Sequence, residues 1–154
     1  MNVLAEKEGR SFVAVVLDAS GGFVLPFAGT PFPCLVWDHD GRSTDEQRLA
    51  LARQLLDAGC RFVVCGGVNC EAWHDDVDTE FVRRHLGEPE DVLDAAHVST
   101  TWHEGESVDE VAFYFVNCTN LHGHDFRRFL VLHVGAGLLK GPLEVAVRRH
   151  ALEG

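Results

Sequence analysis

The chain has 154 residues, of which 46% are hydrophobic and 24% are charged, as expected for one packed globular domain. Its 13 basic and 24 acidic side chains give a formal net charge of −11, so phosphate backbones and anionic lipid surfaces repel it, whereas a basic protein partner is allowed. No apolar run approaches the roughly 20 residues of a membrane span. We therefore expect no nucleic-acid or membrane partner.

The cysteines and the amino-terminal segment indicate a cytoplasmic protein. There are five cysteines, an odd number, and several of them lie in or beside apolar runs that are typical of strands. Residues 1–10 are mostly polar and no signal-peptide core follows them. The composition indicates no particular oligomeric state.

The first third of the chain contains two predicted strands and a helix. Phe12–Leu17 is predicted to be an edge strand, because glycines and prolines between residues 21 and 33 follow it, and residues 1–30 are predicted to form this strand and a turn-rich extension. Cys34–Trp37 is short and apolar, and it is predicted to be the first central strand of the sheet. A helix over about residues 44–58 is predicted from capping-box spacing, either Thr44 with Gln47 or Ser43 with Glu46, and from Gly59 as its end.

The remaining elements alternate in the same way. The predicted elements are a strand over Phe62–Cys65, a helix over Thr79–Leu86 capped by Asp78, a strand over His97–Thr101, a helix opened by Ser107 and Glu110, a strand over Phe129–Val134 and a helix from Pro142 to about Leu152. This order predicts an α/β fold in a single domain over residues 1–154. Its three-layer, mostly parallel, Rossmann-like or flavodoxin-like sheet should have four to five strands, with helices on both faces.

Each tryptophan of the chain follows or ends a predicted strand and has a histidine and a carboxylate nearby. Ligands of such sheets bind beyond the carboxyl ends of the strands, so this edge is the candidate binding site. The candidate binding residues are Asp38, His39, Trp73, His74, Asp75, Asp76, Trp102 and Glu104.

Imidazole and carboxylate groups in such a cluster suit either a divalent metal, such as zinc, manganese or iron, or general acid–base chemistry near neutral pH. No pair of these residues has tight metal-ligand spacing, so no cofactor is assigned and a divalent metal stays an open alternative. In the simplest alternative, the tryptophans pack over the end of the sheet and their polar neighbours face water.

Cys70 is the candidate nucleophile, because it is predicted to lie in a loop after glycines that allow a ligand close approach. His103, or alternatively His74, could activate its thiol. The competing interpretation is an inert, half-buried thiol, which is the commoner situation for a free cysteine.

From Phe32 to about Val134 the chain resembles a family of small bacterial proteins that carry a domain of unknown function. The resemblance depends on a Cys-x-x-Trp element at Cys70–Trp73 with the acidic residues after it, and on a Thr-Thr-Trp-His-Glu element at Thr100–Glu104. It implies no activity. It does imply that the family's pattern includes Cys70, Trp73, Asp75, Asp76, Asp78, Trp102, His103 and Glu104.

These observations leave three functions open. The first is an acidic binding or accessory protein, similar to an immunity or adaptor protein, that docks a basic partner. The second is a small enzyme of hydrolase type that uses Cys70 and His103, or a divalent metal bound by His, Asp and Glu side chains. The third is a sensor of a nucleotide or another small ligand, in which an indole stacks on a base. We expect the first, with the enzyme as the alternative.

Overall fold

A computed structural model describes residues 1–17, 22–26 and 29–153 of the chain. It confirms an α/β fold built on a mostly parallel sheet. The sheet has six strands, more than the four to five expected. The strands are β1 (Asn2–Lys7), β2 (Arg10–Val16), β3 (Phe32–Asp38), β4 (Cys60–Gly67), β5 (Ser99–Trp102) and β6 (Arg128–Val134). The helices are α1 (Asp45–Ala58), α2 (Cys70–Arg84), α3 (Glu90–Ala96), α4 (Val108–Cys118) and α5 (Lys140–Glu153), with a 3₁₀ turn at Thr119–His122.

The strand order is β1-β2-β6-β3-β4-β5, and only the pair β1–β2 is antiparallel. The prediction that the strand beginning near Phe12 lies at an edge is therefore wrong, because β2 pairs with both β1 and β6. The unpredicted β1 forms a hairpin with β2 through Glu8 and Gly9, both at positive φ. Its apolar stretch is short, and the strand forms because β2 offers a free edge for pairing.

Side chains of alternating direction along the strands form two apolar clusters. One contains Leu35, Phe62 and Phe129 together with residues of α4 and α5. The other contains Val36, Val63 and residues of α1 and α2. Since successive side chains of a strand point to opposite faces of a sheet, the two clusters cover its two faces. The chain therefore leaves β3 toward one face, through α1, and leaves β6 toward the other, through α5.

The helix ends follow local capping chemistry where the sequence provides it. Thr44 and Gln47 form the reciprocal capping box of α1, and Gly59 ends this helix at a φ of 102°, which confirms both predictions. Ser107 caps α4 by accepting a hydrogen bond from the Glu110 backbone N–H, as predicted.

The second helix, in contrast, begins nine residues before the predicted Thr79, at Cys70. Its N-cap, Asn69, has a φ of 56° and forms no side-chain cap, although asparagine is a favoured N-cap residue. The helix forms because Cys70, Trp73, Val77 and Glu80 fall on one buried face. As a consequence, residues 70–76 lie on a helix and not in the loop that was expected.

Candidate functional site

The neighbouring strands β3 and β6 send the chain to opposite faces of the sheet, which creates a crevice at their carboxyl ends. Asp38 ends β3 at this point and is fully buried. Its Oδ2 accepts a hydrogen bond from Trp73 Nε1 at 2.9 Å, and its Oδ1 accepts from the backbone N–H groups of Gly41 at 2.8 Å and Asp40 at 3.2 Å. Asp38 therefore connects β3 to α2 and shapes the turn that follows it.

A chain of hydrogen bonds runs through the crevice from α5 to the loop after β3. Glu144 Oε2 lies 2.9 Å from His133 Nε2, and His133 Nδ1 lies 2.9 Å from His39 Nε2. Glu144 is further oriented by Asn2, whose Nδ2 donates to Oε1 at 2.6 Å. We refer to Glu144, His133 and His39 as the histidine chain.

The two imidazoles of the histidine chain are kept neutral by their surroundings. His133 is fully buried and His39 partly so, and burial lowers the pKa of both from 6.5 despite the nearby carboxylates. A carboxylate of Glu144 requires the proton of His133 on Nε2, so His133 Nδ1 accepts and His39 Nε2 donates. In this assignment His39 Nδ1 carries no proton, so its lone pair can accept a hydrogen bond or a proton beside Gly137.

Asp40 joins the loop after β3 to the loop after β6. Its carboxylate accepts a hydrogen bond from the backbone N–H of Ala136 and occupies the space that a side chain at Gly135 would need. Backbone N–H groups of Arg42 and Ala136 lower the pKa of Asp40, so this side chain is ionised near His39. The two loops are thereby held together around His39.

A groove of about 320 Å³ lies next to the histidine chain, and we refer to it as the His39 groove. His39, Trp37 and Gly137 form part of its wall on one side, and His103 and Glu106 contribute from the loop after β5. Leu138 and Leu139 add apolar surface, and both side chains are exposed. The groove thus combines an imidazole, a carboxylate and an apolar wall, which is typical of small-ligand sites.

A second cavity of about 580 Å³ opens at the start of α2 and is bordered by Cys70 and by the carboxylates of Glu71, Asp75 and Glu104. We call it the acidic cleft. Gly67 and Val68 line both cavities and separate the acidic cleft from the His39 groove.

The proposed pair of Cys70 and His103 is close in space, but the imidazole does not reach the thiol. The sulfur of Cys70 lies near the backbone N–H groups of His103 and Glu71, and burial nevertheless raises the pKa of this thiol. The ring of His103 bonds to Thr101 Oγ1 and to Glu106 Oε2, each at 2.9 Å. Both ring nitrogens of His103 are therefore engaged by neighbours other than Cys70.

The remaining predicted residues lie along α2 and at the end of β5. Trp73 is buried, whereas Trp102 is 45% exposed and its ring contacts His74, with ring centroids 4.4 Å apart. His74 bonds to Asp75 at 3.0 Å, and Asp76 accepts from Arg48 on α1 at 2.7 Å. Of the predicted binding residues, Asp38 and His39 border the His39 groove and Asp75 and Glu104 border the acidic cleft.

The structure also adds residues that the sequence did not single out. His133 lies in the predicted strand Phe129–Val134 and Glu144 lies in the predicted helix that begins at Pro142, and neither is among the candidate site residues. A histidine inside the otherwise apolar segment Phe129–Val134 was the available signal. Within residues 1–17, 22–26 and 29–153, no three His, Cys, Asp or Glu side chains are arranged to hold a metal ion.

The five cysteines are all free. None of the helices in the described part of the chain has the length and apolar character needed to cross a membrane.

No curated protein and no solved structure matches the chain. Residues 18–148, most of the chain, match a family described as a domain of unknown function (DUF7684), and this span includes the Cys-x-x-Trp and Thr-Thr-Trp-His-Glu elements as well as His39, His133 and Glu144. The chain therefore belongs to the DUF7684 family.

Proposed function

We propose that the protein is a small enzyme of hydrolase type in which His39 acts as a general base in the His39 groove. The observation that supports this most directly is the histidine chain, whose three side chains are joined by hydrogen bonds of 2.9 Å. A fully buried imidazole such as that of His133 is costly unless both of its ring nitrogens are hydrogen-bonded, and here Glu144 and His39 satisfy them. Such arrangements with lowered pKa values are concentrated at functional sites.

The proton path follows from the tautomers. His39 Nδ1 accepts a proton from a water molecule or substrate hydroxyl in the groove, and the resulting imidazolium is stabilised by Asp38 and Asp40. The Nε2 proton of His39 can then pass to His133 Nδ1, while His133 passes its Nε2 proton to Glu144. His133 and Glu144 act as positioning residues, since only His39 of the three borders the groove.

We assign the base to His39 and not to His103 because of their different surroundings. His103 has no free ring nitrogen, and a raised pKa keeps the thiol of Cys70 protonated at neutral pH. None of the described residues forms a hydrogen bond with His39 Nδ1, and the lowered pKa of His39 keeps this nitrogen unprotonated at pH 7.

The proposal is tested by the hydrolysis of 4-nitrophenyl acetate between pH 5 and 8. We expect wild-type activity to rise with pH around a midpoint below 6.5, the pKa of an ordinary histidine, and His39→Gln to lose at least about 10²-fold in kcat/KM. The matched control is His97→Gln, since His97 is exposed and lies outside the groove. A His39→Gln variant as active as this control would refute the assignment. Glu144→Gln should shift the pH midpoint of activity, which a merely structural role would leave in place.

A second candidate function is the docking of a basic partner, and the acidic cleft is the observation that favours it. Glu71, Asp75 and Glu104 border this cleft, and none of the residues that line it is basic. A lysine or arginine side chain of a partner would find complementary charge there. Titration with hexa-lysine followed by calorimetry tests this role. Binding should weaken in the double variant Asp75→Asn, Glu104→Gln and should not change in Glu153→Gln, and equal binding by all three proteins would contradict it.

We also propose the finer classification of the fold as a three-layer, Rossmann-like single domain that works in the cytoplasm. The two apolar clusters with different helices support the three layers. Free cysteines support a reducing compartment. The net charge of −11 supports a protein that binds neither nucleic acid nor anionic membranes.

A further inference from the structure

One edge of the sheet is formed by a strand with an open side. β5 lies last in the strand order, and among the strands of the described residues it pairs only with β4. The backbone N–H of His103 donates to the carbonyl oxygen of Cys65 in β4 at 3.0 Å, and successive residues of a strand direct their backbone groups alternately toward and away from such a neighbour. Thr100 and Trp102 therefore direct their N–H and C=O groups outward, where a further strand can pair with them.

Trp102 places a large aromatic side chain at this open edge. Its ring contacts His74 of α2, and 45% of the residue stays exposed, whereas Trp37 and Trp73 are buried. Tryptophans are enriched among the residues that contribute most to binding at protein interfaces, and the face of an indole attracts the cation of a lysine or arginine. The exposed indole is therefore suited to contact a cationic side chain of a partner.

Three carboxylates lie beside this part of the edge. The hydroxyl of Thr100 donates to Asp78 at 2.7 Å. Asp75 Oδ1 lies 3.0 Å from His74 Nδ1. Glu104 follows β5 and borders the acidic cleft together with Asp75, so the charge of the cleft extends to the edge. No lysine or arginine of the described residues lies within ion-pair distance of these three carboxylates, which leaves their charge available to a partner.

The charge at this edge decides which kind of strand can pair with it. A second copy of the chain, pairing through its own β5, would bring the same carboxylates together in a protein of net charge −11. The side chains of Thr100 and Trp102 both point to the face of α2, where the carboxylates lie. Alternate side chains of an extended segment also share one face, roughly 6.6 Å apart. Basic residues at alternate positions would therefore meet these carboxylates.

We infer that β5 is a docking edge for an extended basic segment of a partner protein. The segment adds a further strand to the sheet and pairs with the backbone of Thr100 and Trp102. Its lysine or arginine residues, at alternate positions, contact the indole of Trp102 and the carboxylates of Asp75 and Asp78. This inference rests on the second candidate function, the docking of a basic partner, because it states how that partner is bound. It does not depend on the base assigned to His39.

Peptide binding to wild-type protein, followed by fluorescence polarisation, tests the strand pairing. The probe is a fluorescein-labelled hexapeptide of alternating lysine and threonine, and it is compared with two versions that carry methyl groups on the backbone nitrogens of either the lysines or the threonines. Only one of these two sets of N–H groups can face β5 in an added strand. One methylated peptide should therefore bind about 10-fold more weakly than the other two peptides, which have the same charge.

Hydrogen exchange and one pair of variants locate the bound peptide. In ¹⁵N-labelled wild-type protein, the unmethylated peptide should slow amide exchange at Thr100 and Trp102 and leave Thr101, whose N–H faces β4, unchanged. Trp102→Ala should weaken binding about 10-fold. The matched control is Phe113→Ala, which removes a similarly exposed aromatic side chain from α4 and should bind the peptide like wild type.

The outcomes separate this inference from the docking role on which it rests. If hexa-lysine binds but the three peptides bind equally and protect neither Thr100 nor Trp102, the strand pairing is overturned and the docking role stands. If neither hexa-lysine nor any of the peptides binds, the docking role fails as well. If the protein without peptide is a dimer that Trp102→Ala dissociates in analytical ultracentrifugation, the edge belongs to a second copy and the inference is overturned.

Discussion

Replacing Glu80 by glutamine should destabilise the protein at neutral pH and have little effect near pH 2. The side chain of Glu80 on α2 is 1% exposed. Its carboxylate accepts two hydrogen bonds from Arg83, at 2.6 and 3.0 Å, and one from Arg84 at 3.0 Å, and it lies 3.5 Å from Arg53 on α1. Glu80 is therefore a buried charge whose partners belong to both helices.

The pKa of Glu80 is lowered from 4.5 to about 2, mainly by the hydrogen bonds from Arg83. Burial of the carboxylate acts in the opposite direction and raises the pKa. At about 1.36 kcal/mol per pH unit, this difference corresponds to at most about 3.4 kcal/mol of stability. Arg53 and Arg83 are at least half exposed, so water screens part of the attraction and we expect about 2 kcal/mol.

Because the pKa of Glu80 is lower in the folded state, its contribution is present above pH 4.5 and is lost as the pH falls toward 2. Urea denaturation followed by circular dichroism at pH 7 and pH 3 measures this directly. Glu80→Gln should unfold about 2 kcal/mol more easily than wild type at pH 7, and by clearly less at pH 3. The exposed Glu153→Gln should match wild type within about 0.5 kcal/mol. A difference that stays constant with pH would refute the role of the charge.

Three further predictions concern Trp73, the reactivity of the cysteines and His133. Trp73→Phe removes a donor to the buried carboxylate of Asp38 and should lower the free energy of unfolding by about 2 kcal/mol in urea denaturation. In native protein at pH 8, iodoacetamide should modify the half-buried Cys118 faster than Cys70, and mass spectrometry of the digested protein should show this preference disappear in urea. His133 has a lower pKa folded than unfolded, so thermal stability should fall as the pH drops from 7.5 to 5.5, and His133→Asn should show a smaller fall.

The parts of the fold that depend on residues close together in the sequence could be predicted from it. The capping box of Thr44 and Gln47 and the left-handed Gly59 are local, so the bounds of α1 were nearly correct. The start of α2 was not predicted, although Asn69 is a favoured N-cap residue type, because glycines precede it and the acidic segment after Trp73 is typical of a loop. The pairing of β1 depends on the free edge of β2, which has no local signature.

The candidate site was predictable only in part for the same physical reason. Asp38 and His39 follow a buried strand, so their place at the carboxyl edge could be expected. The contact of His39 with His133 exists because β6 lies beside β3, although 94 positions separate these two residues in the sequence. The strand order decides this contact, and a single sequence carries no direct record of that order.

The hydrogen bond between Asn2 and Glu144 has a practical consequence for handling the protein. It places the first strand of the chain against the carboxylate of the histidine chain, whereas Lys7, at the other end of β1, meets Leu152 at the far end of α5. An affinity tag fused before Met1 would therefore bring its linker next to Glu144, and one fused after Glu153 would emerge at the opposite pole of the sheet. Assays of the wild-type protein should use the second arrangement. A fusion before Met1 offers an attachment point for a fluorescent reporter close to the His39 groove.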